Sequence, residues 1–368
     1  MSHDAAQSPI PLDLSTGSVD LTRQLVDIAS VSGDERAIAD AIEATLKGLA
    51  HLTLHRDGDA IVARTNLGRD RRVIIAGHLD TVPIVSNVPG WFSTQDGVET
   101  LWGRGTVDMK AGVAVQLLLA AELTAPVVDV TWVWYDHEEV ASDLNGLGRL
   151  AANAPELLEG DFAILGEPTA GEIEGGCNGT VRVEVRTSGV RAHSARSWMG
   201  QNAIHAVAPI LQKLADFQAQ EVEVEGLVYR EGLNAVGISG GVAGNVIPDE
   251  CVVTVNYRFA PDKTAGEAIA WLEEFFRGYQ VTVTDRSDGA RPGLDAPLAQ
   301  AFLAAVGAEA KPKYGWTDVA RFSALGIPAV NYGPGDPSLA HRDDEHVPTE
   351  QITRVEHGLR AWLSGRAG

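Results

Sequence analysis

Three apolar, β-rich runs in this chain each end in a histidine or a carboxylate, and that shared ending limits the folds open to it. Val73-Ile74-Ile75-Ala76-Gly77 leads into His78-Leu79-Asp80. Asp129-Val130-Thr131-Trp132-Val133-Trp134-Tyr135 leads into Asp136-His137-Glu138-Glu139, and Asp161-Phe162-Ala163-Ile164-Leu165-Gly166 into Glu167-Pro168-Thr169. Continuous apolar runs of this length read as strands buried on both faces, as in a parallel or mixed sheet. Such strands share one carboxyl edge, and ligands bind along it. A lone His-x-Asp, Glu-Glu or Glu-Pro-Thr is commonplace. On three strand ends the groups converge, and imidazoles beside carboxylates are the donors of a metal site. Asp80, two residues past His78, is placed to orient the ring through its other N–H.

At 368 residues the chain is long for a single core, so two domains are expected. Its formal charge of −21 repels nucleic acid and anionic membrane surfaces and excludes both as partners. No apolar run approaches the ~20 residues that span a bilayer. Residues 1–18 are polar, with Pro9 and Pro11 and no apolar signal-peptide region, so the expected location is the cytoplasm. Cys177 and Cys251 lack a Cys-x-x-Cys spacing and are expected to be free.

Apolar spacing predicts two helices between 19 and 48, strands at 51–55, 60–65 and 72–76, and a buried helix over 108–123. The strands at 129–135 and 161–165 bracket a helical stretch around 145–158. This is an α/β pattern, with a central mixed sheet covered by helices on both faces. Near Asn178-Gly179 it changes: Val181, Val183 and Val185 alternate with Arg182, Glu184 and Arg186, a strand with one wet face. A helix at 201–219, strands at 234–240 and 251–259, a helix at 264–278 and a strand at 280–285 follow. That order, β-α-β-β-α-β, is the split βαβ, ferredoxin-like layout of a small α+β domain. After Arg291-Pro292-Gly293 the first pattern resumes, with a helix near 296–306 and a strand at 327–332. The expected organisation is a discontinuous domain of 1–179 and 293–368 with an inserted domain of 180–292.

Two more clusters join the strand ends. Asp108 stands at the mouth of the buried helix, as a cap or as a ligand. His341 and His346, in Ala340-His341-Arg342-Asp343-Asp344-Glu345-His346, compete as a late imidazole ligand. His78, Asp108, Glu139, Glu167 and His341 together offer two imidazoles and three carboxylates. Such a set suits two divalent ions sharing one carboxylate.

The motifs Gly77-His78-Leu79-Asp80-Thr81-Val82-Pro83, Gly103-Arg104-Gly105 with Asp108-Met109-Lys110-Ala111-Gly112, Glu138-Glu139, Gly166-Glu167-Pro168-Thr169, and the late His341 with Glu345 stand in that order. They resemble those of the dinuclear zinc aminoacylase/carboxypeptidase family, from about residue 20 to the end. The resemblance implies that His78 and Glu167 hold one zinc, Glu139 and His341 the other, and that Asp108 bridges them. Cobalt or manganese could replace zinc. It further implies that Asp80 orients His78 and that Glu138 is the general base for hydrolysis of an amide in an acylated amino acid. The inserted domain would pair two subunits in a homodimer, with His193 of Arg191-Ala192-His193-Ser194 lent to the neighbouring site to stabilise the oxyanion. Gly244-Asn245-Val246-Ile247-Pro248-Asp249 and Val255-Asn256-Tyr257-Arg258-Phe259 are similar to stretches in members that remove a succinyl group. They mark Asn245 and Arg258 as substrate-binding candidates, joined by Arg196 and by Thr317 in Gly315-Trp316-Thr317-Asp318. The alternatives within the family are deacetylation of acetylornithine and carboxypeptidase or aminoacylase activity. A non-catalytic metal-binding scaffold is the alternative of another class, and the intact Glu138 speaks against it.

Overall fold

The three runs lie side by side in one sheet. In the computed structural model, which describes residues 11–365, Arg72–His78 runs parallel between Asp129–Tyr135 and Phe162–Leu165. The polar start of the chain at 1–10 lies outside the described residues. The register sets His78 opposite Tyr135 and Ala76 opposite Leu165, so the three strands finish at one edge. The whole sheet has eight strands, in the order Thr53–Asp57, Ala60–Arg64, Asp129–Tyr135, Arg72–His78, Phe162–Leu165, Ala329–Asn331, Ile173–Gly175 and Ala310–Pro312. Its centre is parallel, while Ala60–Arg64 and Ile173–Gly175 pair antiparallel, so the sheet is mixed. Every residue of Asp129–Tyr135 is buried, including Trp132 and Trp134, as expected of a strand covered on both faces.

The helix Lys110–Glu122 is apolar on all sides and buried from Lys110 to Ala120. The helices Gly17–Val26 and Thr349–Leu363 pack on it. Its first turn comes so close to the sheet that a Cβ on Gly112 would lie 2.2 Å from the Gly166 carbonyl oxygen. Glycine at 112 is therefore required by close approach to the Gly166 backbone, and this approach brings Asp108 to the strand ends.

The chain forms two compact units. One holds the described residues up to Gly175, then Gly293–Lys311 and those from Arg321 onward; the other is Gly176–Pro292 with Pro312–Ala320. The second unit has a four-stranded antiparallel sheet in the order Gly232–Gly240, Glu250–Phe259, Gly179–Ser188 and Gln280–Ser287. Numbered along the chain, that order is 2-3-1-4, the ferredoxin-like arrangement. Val181, Val183 and Val185 face a core shared with Ile210, Val253, Val255, Leu272 and Phe276, while Arg182 is exposed. The helix Ala265–Phe275 starts on a capping box of Thr264 and Glu267, a pattern visible in the sequence.

Several elements go beyond the sequence reading. The hairpin Trp91–Gln95/Val98–Trp102 and the strand His346–Pro348 make a separate three-stranded sheet. Glu221–Val224 and Leu227–Arg230 form a second hairpin, so the helix expected over 201–219 is confined to Ala208–Asp216 with a short 3₁₀ turn before it. The C-terminal helix Thr349–Leu363 buries Ile352, Val355, Leu359, Trp362 and Leu363. Among the described residues, no helix is long and apolar enough to cross a membrane.

These cores are built from apolar side chains and do not pass through the candidate ligands. Chelation should therefore leave the far-UV circular dichroism unchanged. Global unfolding on chelation would show that the metal is needed to fold the chain.

Candidate metal centre

His78 is the last residue of its strand and is 1% exposed. Its Nδ1 lies 3.0 Å from the Asp80 carbonyl oxygen, which directs Nε2 to the sheet edge. There Nε2 stands 2.9 Å from Oδ1 of Asp108. The other oxygen of the same carboxylate, Oδ2, stands 3.3 Å from Nε2 of His341, and that nitrogen is 2.9 Å from Oε1 of Glu139. Asp108 thus faces one imidazole with each oxygen. It does not cap the buried helix, whose N-cap is Met109.

Ligand atoms of His78, Asp108 and Glu167 lie within 4.8 Å of one another, and so do those of Asp108, Glu139 and His341. Asp108 belongs to both groups. A third group, His78 with Glu138 and Glu139, places Glu138 beside the first two. The donors are nitrogen and oxygen in two triads that share a carboxylate, a set that fits two zinc-like divalent ions. The competition between the late histidines is resolved by position. His346 stacks on Trp102 with ring centroids 4.0 Å apart, and His341 is the one in the cluster.

The Asp80 carboxylate chiefly holds the backbone of the Glu138-Glu139 turn. Its Oδ1 accepts the N–H of Glu138 at 2.9 Å, and its Oδ2 accepts the N–H of Glu139 at 3.0 Å and the Ser32 hydroxyl at 2.7 Å. Oδ1 is 3.5 Å from His78 Nδ1, so the ring's nearer partner is the Asp80 main chain. Burial pushes the Asp80 carboxyl up, but the His78 imidazole and the two glutamate N–H groups outweigh it and bring its pKa to about 2. Burial pushes His78 down, yet Asp108 and Asp80 raise it well above the usual histidine range. Asp108 and then Glu139 push His341 up to about 10.

Ser32, within the 19–48 stretch expected to form two helices, is one residue the sequence did not single out. Glu35 is another. It is 1% exposed and accepts the N–H groups of Gly33 at 2.9 Å and His137 at 3.3 Å, beside the Glu138-Glu139 turn. The Ser-Gly-Asp-Glu run before a helix was the available signal.

The remaining candidates belong to the second unit. Ala192–His193 pairs with Val246–Ile247, and the Ser194 N–H donates to the Asn245 carbonyl at 2.9 Å, so His193 and Asn245 are neighbours. His193 is exposed, and its Nδ1 accepts the Ala195 N–H at 3.0 Å. Arg196 is exposed in the following turn. Arg258 is half-buried and donates from Nε to Asn256 Oδ1 at 3.2 Å. Burial, then the neighbouring Arg182, lowers its pKa. Thr317 is buried, and its carbonyl faces the Cys177 sulfur at 3.7 Å.

Residues 74–364 match the profile of peptidase family M20/M25/M40. A Mycobacterium tuberculosis protein named for succinyl-diaminopimelate desuccinylase is 52% identical over 357 residues, covering 96% of this chain and all of its own. The succinyl-diaminopimelate desuccinylase of Corynebacterium glutamicum is 48% identical, covering 96% of this chain and 98% of its own. Among solved structures the fold resembles the YXEP protein of Bacillus subtilis, a dinuclear metal-binding peptidase, with a TM-score of 0.68 and 17% identity over 95% of this chain and 97% of that one.

The raised imidazoles give a pH dependence with a definite sign. In chelator-stripped protein both rings are drawn towards their protonated forms, because the facing carboxylates raise His78 well above the ordinary histidine value and His341 to about 10. Ligation must displace those protons. Zinc loading at pH 7 should release protons, and affinity should rise with pH towards the His341 value of about 10. Calorimetry in buffers of different ionisation enthalpy reads the number released; heats independent of buffer would remove the histidines from the ligand set.

Proposed function

The chain belongs to peptidase family M20/M25/M40, and from that premise we propose that it removes the succinyl group from N-succinyl-LL-2,6-diaminopimelate. The products are succinate and LL-2,6-diaminopimelate, a precursor of lysine and of the cell wall. What carries the chemistry is one carboxylate, Asp108, shared by two ligand groups beside Glu138. What carries the substrate is 48–52% identity over essentially whole chains to desuccinylases.

His78 and Glu167 would hold one zinc, Glu139 and His341 the other, with Asp108 between them; cobalt or manganese would fit the same donors. Bound there, the ions would lower the pKa of a bound water towards ~7 and would polarise the scissile carbonyl. Glu138 takes the proton from the attacking water and delivers it to the leaving amine. Asp80 fixes the backbone of Glu138 and Glu139 together and so sets base and ligand in one register. In His193 the Ala195 N–H occupies Nδ1, so the neutral ring carries its proton on Nε2. That N–H is a donor for the oxyanion of the tetrahedral intermediate.

The working protein is a homodimer, with His193 serving the partner's site. The support in this chain is the edge strand Gly232–Gly240, which exposes Val236 and Ile238 beside unpaired backbone groups that a second strand satisfies. Cys177 and Cys251 are free and buried, in keeping with a cytoplasmic location. Arg258 binds a substrate carboxylate through its planar fork, and Asn245, Arg196 and Thr317 complete the contacts.

The assignment is tested with zinc-loaded protein on succinyl-diaminopimelate, acetylornithine and dipeptides. Succinyl-diaminopimelate should be turned over best, and faster acetylornithine turnover would overturn the substrate. Glu138→Gln should keep its metal and lose about 10²–10⁴ in kcat; loss of zinc instead would exchange its role with that of Glu139. Arg258→Ala should cost roughly 2–4 kcal/mol in kcat/KM on succinyl-diaminopimelate and much less on an acetylated substrate without the contacted carboxylate. Equal losses on both would remove Arg258 from specificity.

A further inference from the structure

We infer that Arg104 and Glu345 are positioning residues that hold the ligand group of one ion, Asp108–Glu139–His341, without touching metal or substrate. This rests on the two-ion reading above.

Arg104 is 2% exposed and Glu345 1%, and they pair at 2.8 Å between Nη1 and Oε2. Their other contacts go to the main chain of ligand-bearing segments. Glu345 Oε1 accepts the N–H of Val107 at 2.9 Å and of Asp108 at 3.1 Å, so the backbone of the shared ligand hangs on this carboxylate. Arg104 Nε donates to the Pro83 carbonyl at 3.1 Å, in the segment that follows His78 and Asp80. Its Nη1 donates to the Arg342 carbonyl at 3.0 Å, next to His341. The Glu345 carbonyl accepts the Gly103 N–H at 3.1 Å. One pair of side chains therefore straps together the segments 78–83, 103–108 and 341–345.

The two ligand groups depend on this brace unequally. His78 ends a buried strand, and Glu167 follows another two residues after Leu165, so the sheet itself places both. His341 lies in a loop between the 3₁₀ turn Pro337–Leu339 and the strand His346–Pro348. Its side chain is 53% exposed and its φ is +67°, in the left-handed region. No strand pairing holds that position, and the brace ties the loop at Arg342 and Glu345. A gain in stability does not explain the pair. Buried ion pairs are expensive to desolvate, and apolar replacements are often as stable. What apolar groups could not supply is four directed hydrogen bonds to main-chain atoms, at Pro83, Val107, Asp108 and Arg342.

The test is a titration of chelator-stripped full-length protein with Zn²⁺ by calorimetry, repeated with Co²⁺ by visible absorption. The main variant combines Arg104→Met with Glu345→Gln. The pair becomes neutral, and the glutamine oxygen can still accept the Val107 and Asp108 N–H groups. Wild type should take two ions in separate steps. The variant should take the first as tightly as wild type and the second about 10–100-fold more weakly, the range typical of groups that orient ligands. Arg104→Lys keeps the charge but cannot serve Pro83, Arg342 and Glu345 at once, and should weaken the same step by less. It decides the matter if the double variant fails to fold. A folded variant that binds both ions like wild type, or loses both equally, overturns the inference. Wild type taking one ion only would overturn the two-ion reading as well, which separates the two failures.

Discussion

A single carboxylate between two imidazoles is the constraint around which the first unit is arranged. Asp108 must stand within hydrogen-bond reach of His78, which ends a central strand, and of His341, more than two hundred residues later. Getting it there requires a helix start pressed against the sheet, which glycine at 112 permits because a Cβ there would meet the Gly166 backbone. It also requires that the backbone before that helix be anchored, and the Glu345 side chain anchors it. A buried apolar helix, the glycine at 112 and a buried ion pair are separate features of the sequence with one geometric purpose.

Charge shapes the rest. Asp80, Asp108, Glu139 and Glu167 are all largely shielded from water around one edge, in a chain of net charge −21. Like charges so gathered are costly unless cations neutralise them. In the protein alone the histidines do this, and both are drawn towards their protonated forms as a result. A divalent ion performs the same neutralisation more strongly. The pull on His78 and His341 is thus the electrostatic image of the site's appetite for metal. The second unit shows the opposite imbalance at Arg258, a half-buried cation beside Arg182 whose pKa is lowered.

Much of this was legible in the sequence because the sheet edge leaves a local signature. An apolar β-rich run followed at once by His or Glu needs no tertiary knowledge, and it singled out His78, Glu139 and Glu167, which the structure brings into the candidate ligand groups. The alternation of Val181, Val183 and Val185 did the same for the second unit's sheet. What escaped depends on partners distant in sequence. The residues around His341 and His346 do not separate the two; the family resemblance pointed to His341, and His346 stacks on Trp102, on a hairpin whose strands are only five residues long. Ser32 and Glu35 acquire meaning only once their turn lies against Asp80 and His137. Asp80 was expected to face a ring, yet its oxygens are chiefly occupied by backbone N–H groups, which sequence spacing does not reveal.

The Glu138-Glu139 pair shows how adjacency becomes a division of labour. The strand Asp129–Tyr135 stops short of it, and His137 then takes a φ of +59°, a left-handed conformation uncommon outside glycine. Such a kink persists only when its surroundings hold it. Here Glu35 accepts the His137 N–H, and the His137 ring lies 2.7 Å from Asp136 Oδ2, itself paired with Arg149. Immediately afterwards Asp80 receives both glutamate N–H groups, one on each oxygen. With the backbone fixed on both sides of the kink, the two side chains are free to diverge. Glu139 reaches His341, while Glu138 stays near His78. Consecutive side chains can therefore meet different partners, because the main chain beneath them is held on both sides of the kink by Glu35 and Asp80.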